Sequence, residues 1–210
     1  MFKLIRMVKK GDKLPAEFRT EWLERNRELR KTANKLIASV VADGKVLGDE
    51  PMFDGVAALY FPAEKEARDS AEKSQGKDSL SLVMDEGKVL FERTGAQFKN
   101  LGQLKVILTS IKKKELSAAQ FKDLSLKGYA KADSKSLMES GIQKIVASFA
   151  VPAKDKPSPF DVMLEIYFNE KDDVKATFGS PVIGILRKDE ETLVDITAPE
   201  IRIVAEEHTL

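Results

Sequence analysis

PMFDGVAALYF, from Pro51 to Phe61, returns later in the chain as SPFDVMLEIYF, from Ser158 to Phe168. Each copy contains a Phe-Asp pair near its start and a Tyr-Phe pair at its end, and the side chains between them alternate as in a β-strand. The segments before the two copies also correspond, because FKLIRMV matches LKVILTS and KLIASVV matches KIVASFA. We therefore predict a duplicated unit, with one repeat over residues 1–101 and a second over residues 102–210.

The same order of elements is predicted in each repeat: strand, helix, two strands, a charged helix and a last strand, which is the ferredoxin-like order of an α+β protein. Pro15 suits the first position of a helix, and the S-x-x-Q sequence from Ser117 to Gln120 is a capping box. In the first repeat we predict a short helical turn at Leu80–Glu86 and a last strand near Ala96–Lys99. The join at Asn100–Gln103 is short, so the repeats should pack as one body.

Composition excludes several classes of function. The 35 basic and 34 acidic residues leave a net charge of +1, which gives no electrostatic reason to expect nucleic acid or an anionic membrane as partner. The absence of cysteine rules out disulfides and thiolate chemistry, and the single histidine, His208, leaves little to ligate a metal or haem. We predict no cofactor. Without a signal peptide or a long apolar window, the expected location is the cytoplasm.

Several motifs together resemble the EthD family of the dimeric α+β barrel superfamily, with one domain per half of the chain. They are the FKLIRMVKK start with Pro15, Phe18 and Trp22, the Phe53-Asp54-Gly55 sequence leading to Tyr60-Phe61, and Asp85-Glu86 before Val89-Leu90-Phe91. The resemblance implies two ferredoxin-like repeats packed sheet to sheet as a pseudo-dimer within one chain, with a pocket between sheet and helices. Further association of chains is left open.

The resemblance also bears on activity. Relatives of the EthD family act on small, often aromatic molecules, and oxygenation without a cofactor is among the reactions of the superfamily. The family often places a histidine on the first helix. Asn26 occupies that position in the first repeat, and Tyr129 lies near it in the second.

Alternation on the two matching strands indicates where a site would be. Val56, Ala58 and Tyr60 share one face of the first copy, and Met163, Glu165 and Tyr167 share the same face of the second. In a barrel this face points inward, where desolvation would raise the pKa of Glu165 and suit it to acid–base catalysis. The alternative is that Glu165 forms an ion pair with a basic residue across the sheets, for which Arg6 is the candidate.

Arg6 completes the catalytic pair that we predict with Glu165, because a guanidinium can bind a ligand carboxylate or enolate through its fork of donors. Substrate-binding candidates are Trp22, Asn26, Tyr60, Tyr129 and Tyr167. Each has a structural alternative: Trp22 as a core anchor, and the tyrosines as packed residues with satisfied hydroxyls. We expect His208, near a chain end that should fray, to play no catalytic role.

Two functional hypotheses follow. In the first, the protein is an enzyme that acts on a small aromatic or carbonyl compound, with Glu165 and Arg6 as its catalytic groups. In the second, it is a binding or structural module that keeps the barrel without the catalytic histidine. A cavity between helix and sheet, and the polarity of its lining, would distinguish them.

Overall fold

The structure is a computed structural model of the 210-residue chain. It describes residues 1–42, 46–48, 50–74, 76, 79–93, 104–130, 134–153, 158–184 and 191–210, without the side chains of 129, 130 and 134–136. In this part of the chain no helix is both long and apolar enough to cross a membrane.

The first repeat has the predicted ferredoxin-like topology. Its elements are β1 (Phe2–Val8), α1 (Pro15–Leu29), a 3₁₀ turn (Arg30–Thr32), β2 (Lys35–Val41), β3 (Gly55–Phe61), α2 (Glu64–Lys73), β4 (Ser79–Asp85) and β5 (Lys88–Glu92). The strand order is β4-β1-β3-β2, and every pair is antiparallel. The helical turn predicted at Leu80–Glu86 is wrong, because β4 pairs with β1 along its whole length. The strand predicted near Ala96–Lys99 lies outside the described residues.

The second repeat follows the same plan. Its elements are β6 (Leu104–Ser110), α3 (Ala118–Ala130), α4 (Ser134–Glu139), β7 (Lys144–Phe149), β8 (Val162–Phe168), α5 (Lys171–Phe178) and β9 (Arg202–Thr209), in the strand order β9-β6-β8-β7. The predicted capping box precedes α3: the backbone N–H of Ser117 donates to Gln120 Oε1 (2.9 Å), and that of Gln120 donates to Ser117 Oγ (3.2 Å). The boundary at residues 101 and 102 falls outside the described residues and stays a prediction.

Strand β9 and the β4–β5 segment join the repeats into a closed barrel. β9 pairs with β6 through its first half and with β2 through its second half. The bent β4–β5 segment does the same on the other side, because β4 pairs with β1 and β5 pairs with β7. At this seam Met84 bridges Ala150, and the N–H of Val151 donates to the carbonyl of Val83 (3.0 Å). The fold is therefore the predicted intramolecular dimeric α+β barrel.

Strand alternation divides the buried apolar residues into three clusters. The barrel interior is filled by inward-facing residues of both repeats, among them Ile5, Met7, Ala58, Met84, Ile107, Phe160, Met163 and Ile203. On the outer faces, Leu59 and Phe61 pack under the helices of the first repeat, and Leu164, Ile166 and Phe168 lie in the matching cluster of the second. The predicted inner and outer faces of β3 and β8 are thus confirmed.

Gly55 allows α1 to approach the sheet closely. A Cβ at this position would lie 2.7 Å from Trp22 Cε2 and 3.0 Å from Phe18 Cζ, in a well-packed cluster where neither ring can retreat. We expect Gly55→Ala to lower the free energy of unfolding by about 1–3 kcal/mol, measured by urea denaturation. Gly184→Ala is the control, because nothing lies within 4 Å of its added Cβ. Equal losses in both variants would contradict the packing argument.

Candidate functional sites

A buried ion network occupies one end of the barrel interior. Lys3 Nζ lies 2.9 Å from Glu165 Oε2, and Lys105 Nζ lies 2.7 Å from Glu165 Oε1. Lys105 Nζ also lies 2.8 Å from Glu207 Oε2, which accepts a hydrogen bond from the Tyr167 hydroxyl at 3.0 Å. Lys3, Lys105 and Glu165 are at most 5% exposed. These five residues are called the ion network below.

Equivalent positions on matching strands explain how the ion network forms. Lys3 and Lys105 are the second residues of the matching strands β1 and β6, and both face inward. Glu165 has no acidic counterpart in the first repeat, where Ala58 takes its place in the matching strand β3. One carboxylate therefore lies between two equivalent lysines. The sequence contained this signal, because both copies carry a lysine at an inward position otherwise flanked by apolar residues.

Glu165 remains ionised in this setting. Burial alone would raise its pKa, but the ammonium groups of Lys105 and Lys3 more than offset burial and hold the pKa well below its usual range. The expectation of a raised pKa is therefore wrong, since the two lysines were not anticipated. Arg6 is also not the partner of Glu165, because it lies on the opposite face of β1 from Lys3. A carboxylate held in this way is a poor proton acceptor at neutral pH.

The two inward-facing tyrosines pack against the same charges. Lys3 Nζ lies 6.0 Å from the centre of the Tyr60 ring, and Lys105 Nζ lies 5.5 Å from that of Tyr167. Burial, followed by the nearby Glu165 carboxylate, raises the pKa of both hydroxyls. The side chain of Tyr129, in α3, lies outside the described residues. Ligand binding by these tyrosines stays a prediction.

Trp22 and Asn26 are held inside the first repeat. The Trp22 ring stacks on Phe18 with 5.9 Å between centroids, and its Nε1 donates to the Ser39 carbonyl at 3.2 Å. Asn26 is fully buried and donates through Nδ2 to the Trp22 carbonyl (2.7 Å), while its Oδ1 has no partner among the described residues. These contacts agree with the core-anchor interpretation of Trp22. Roles for both residues in ligand binding stay predictions.

His208 does not lie in a frayed terminus. It is part of β9 and pairs with Ala38 of β2, and its Nε2 lies 3.3 Å from Arg19 Nη2. Burial, and then the positive charge of Arg19, lower its pKa. Within the described residues no three His, Asp or Glu side chains converge to hold a metal ion.

A first cavity, the Arg6 cavity, lies on the outer face of the first repeat. It has a volume of about 240 Å³ and is lined by Arg6, Val8, Arg25, Lys73, Ser74, Gly76 and Ser79. Arg6 is only 3% exposed, and its Nε has no hydrogen-bond partner among the described residues. Burial, and then the charge of Arg25, lower the pKa of Arg6.

A second cavity, the Leu108 cavity, lies on the outer face of the second repeat and has a volume of about 230 Å³. Leu108 of β6 and Leu164 of β8 form its floor, and the segment from Glu191 to Glu200 covers it. Leu108 takes in β6 the position that Arg6 takes in β1, so matching positions of the two repeats contribute a guanidinium to one cavity and an isobutyl group to the other. Glu165 follows Leu164 in β8 but points into the barrel interior, away from this cavity.

Comparison with known proteins agrees with the fold. No protein-family model matches the chain, and no curated protein matches it. Among solved structures, an anthrone oxidase-like protein superposes with a TM-score of 0.61 at 10% identity, over 100% of this chain and 92% of the other. A mutant chlorite dismutase from Candidatus Nitrospira defluvii gives a TM-score of 0.54 at 10% identity, over 97% and 90%. This chain shares the fold of both proteins.

Proposed function

We propose that this protein is a small-molecule-binding module of the EthD type, which holds a largely apolar ligand in the Leu108 cavity and does not use Glu165 for acid–base chemistry. The observation that carries the proposal is this cavity between the sheet and its covering segment, with an apolar floor of Leu108 and Leu164. The state of Glu165 favours the non-catalytic hypothesis, because a carboxylate paired with two buried lysines is not available to accept a proton.

The lining of the Leu108 cavity indicates the class of ligand. Its volume of about 230 Å³ is below the range of roughly 300–1,000 Å³ common for drug-sized ligands, so a compound with one aromatic ring is a suitable size. Three carboxylates line the cavity, at Glu191, Asp195 and Glu200. Glu200 pairs with Arg202, and the other two disfavour an anion. Hydrogen bonds from Thr197 hold the pKa of Asp195 below its usual range, so this carboxylate is charged at neutral pH. A neutral or cationic aromatic compound fits best.

Filling the Leu108 cavity should abolish binding. Ala198 lines the cavity and is only partly buried, so the indole of an Ala198→Trp variant can enter it without disrupting the sheet. We expect benzaldehyde, phenol or aniline to bind the wild-type chain in ligand-observed NMR, and binding to weaken about tenfold or more in Ala198→Trp because the apolar surface is already covered.

Ala176→Trp is the matched control, because Ala176 is exposed on α5 and does not line the Leu108 cavity. Its affinity for the same compounds should equal that of the wild type. Equal affinity in Ala198→Trp would place the ligand elsewhere, and no binding of any of the three compounds to the wild type would contradict the proposal. Turnover of a bound compound that is lost in Glu165→Gln, with the fold intact, would restore the enzyme hypothesis.

A further inference from the structure

Arg6 is a buried arginine that is not fully hydrogen-bonded within the described part of the chain. The residue is only 3% exposed, and its Nε is buried without a hydrogen-bond partner among the described residues. Burial of an unpaired charge is costly, and buried guanidinium groups in proteins are normally paired with a carboxylate or a phosphate. The charged end of Arg6 therefore needs an anion.

The described residues around Arg6 do not supply one. Arg25 and Lys73 also line the Arg6 cavity, and neither forms an ion pair in the described part of the chain. No carboxylate is among the described lining residues. The C-terminal end of α2, at Lys73, contributes only about half a negative elementary charge, which leaves most of the three positive charges uncompensated.

The neighbours of Arg6 on the outer face of the sheet leave room for a ligand. Arg6 pairs across the sheet with Ala57 on one side and Ser81 on the other, and both side chains are small. Ser74 and Ser79 add hydroxyl groups to the lining. The cavity of about 240 Å³ therefore combines a buried fork of donors with polar walls. This is the composition of an oxyanion site.

We infer that the Arg6 cavity binds a small organic carboxylate, with the Arg6 guanidinium as its primary counter-ion and Arg25 and Lys73 as the charges that attract it. Arg6 lines the cavity, and the planar fork of a guanidinium can form two parallel hydrogen bonds with a carboxylate. The site is separate from the Leu108 cavity, where Leu108 replaces this arginine. The Arg6 cavity takes an anion, whereas the Leu108 cavity takes a neutral or cationic compound.

Calorimetric titration of the whole chain with acetate, benzoate and inorganic phosphate at low ionic strength tests the site. We expect saturable binding of at least one carboxylate and a loss of affinity of about tenfold or more in Arg6→Met, since a bidentate charged contact is removed. Arg27→Met is the control for loss of one positive charge, because Arg27 lies on α1, the helix that carries Arg25, and does not line the cavity. Ala198→Trp should bind the carboxylate as the wild type does.

Thermal unfolding distinguishes a ligand-binding arginine from a structural one. Without ligand, Arg6→Met should melt at the same temperature as the wild type or higher, because the variant removes an unpaired buried charge. The inference is overturned if neither carboxylate binds the wild type at millimolar concentration, if phosphate binds more tightly than both, or if Arg27→Met loses as much affinity as Arg6→Met. A much lower melting temperature of Arg6→Met without ligand would make Arg6 a structural residue and also overturn it.

Discussion

The Glu165→Gln variant is expected to lose about 3–5 kcal/mol of its free energy of unfolding, because an amide leaves Lys3 without the one carboxylate that pairs with it among the described residues and weakens the pairing of Lys105. Lys105 keeps Glu207 at 2.8 Å, whereas Lys3 has no second carboxylate among the described residues. The protein cannot easily move Lys3 to water, since its side chain is fully buried. Urea denaturation at neutral pH measures the loss.

Two further variants separate the ion network from general effects of charge. Glu28→Gln removes a carboxylate from an exposed pair with Lys31 and should cost less than about 1 kcal/mol. Lys3→Met combined with Glu165→Leu should recover part of the loss seen in Glu165→Gln, because no unpaired Lys3 then remains. A Glu165→Gln variant as stable as the wild type would mean that the network contributes nothing to stability, and would make Glu165 available for catalysis.

Acid should destabilise the wild type through the same carboxylate. The folded-state pKa of Glu165 lies below the value of about 4.3 in an unfolded chain, so its contribution is fully present above that pH and is lost as the pH falls. One such group changes stability by at most about 1.4 kcal/mol per pH unit. Urea denaturation between pH 7 and pH 3 should show the wild-type stability falling towards that of Glu165→Gln.

Stability also falls as the pH rises, in this case through Lys105. Glu165, Tyr167 and Glu207 together raise the pKa of Lys105 above its usual range, although burial opposes them. The stability from Lys105 is therefore present below the unfolded pKa of about 10.4 and is lost as the pH rises through the folded value. The advantage of the wild type over Glu165→Gln should thus be largest between about pH 5 and pH 10. An advantage that stays constant down to pH 3 would contradict the assigned protonation state of Glu165.

Local patterns in the sequence predicted the elements of the fold well because those patterns depend on neighbours along the chain. Residues of a strand alternate between faces, so the inner and outer positions of β3 and β8 could be assigned without a structure. The same is true of the capping box at Ser117, whose two hydrogen bonds join residues three positions apart. The prediction failed at Leu80–Glu86, where pairing with β1 decided the conformation.

Contacts in the candidate sites could not be predicted in the same way. Glu165 meets Lys3 across 162 positions of sequence and Lys105 across 60, and both contacts depend on closure of the barrel. Arg6 was the obvious partner by charge, but strand alternation places it on the face opposite Lys3. The position of His208 near the end of the chain predicts a frayed terminus. Instead His208 belongs to β9, which lies between β2 and β6.

The sequence by itself determined the α+β class of the fold and predicted a duplicated unit, because a repeated strand pattern is a property of the covalent chain. Only the tertiary structure decided which of its charged side chains are buried and which are paired. Barrel closure places Lys3 and Lys105 against Glu165, whose position in the first repeat is taken by Ala58, and leaves the Nε of Arg6 buried beside a cavity without a partner among the described residues. Pairing and burial depend on distances in space, which strand periodicity does not encode.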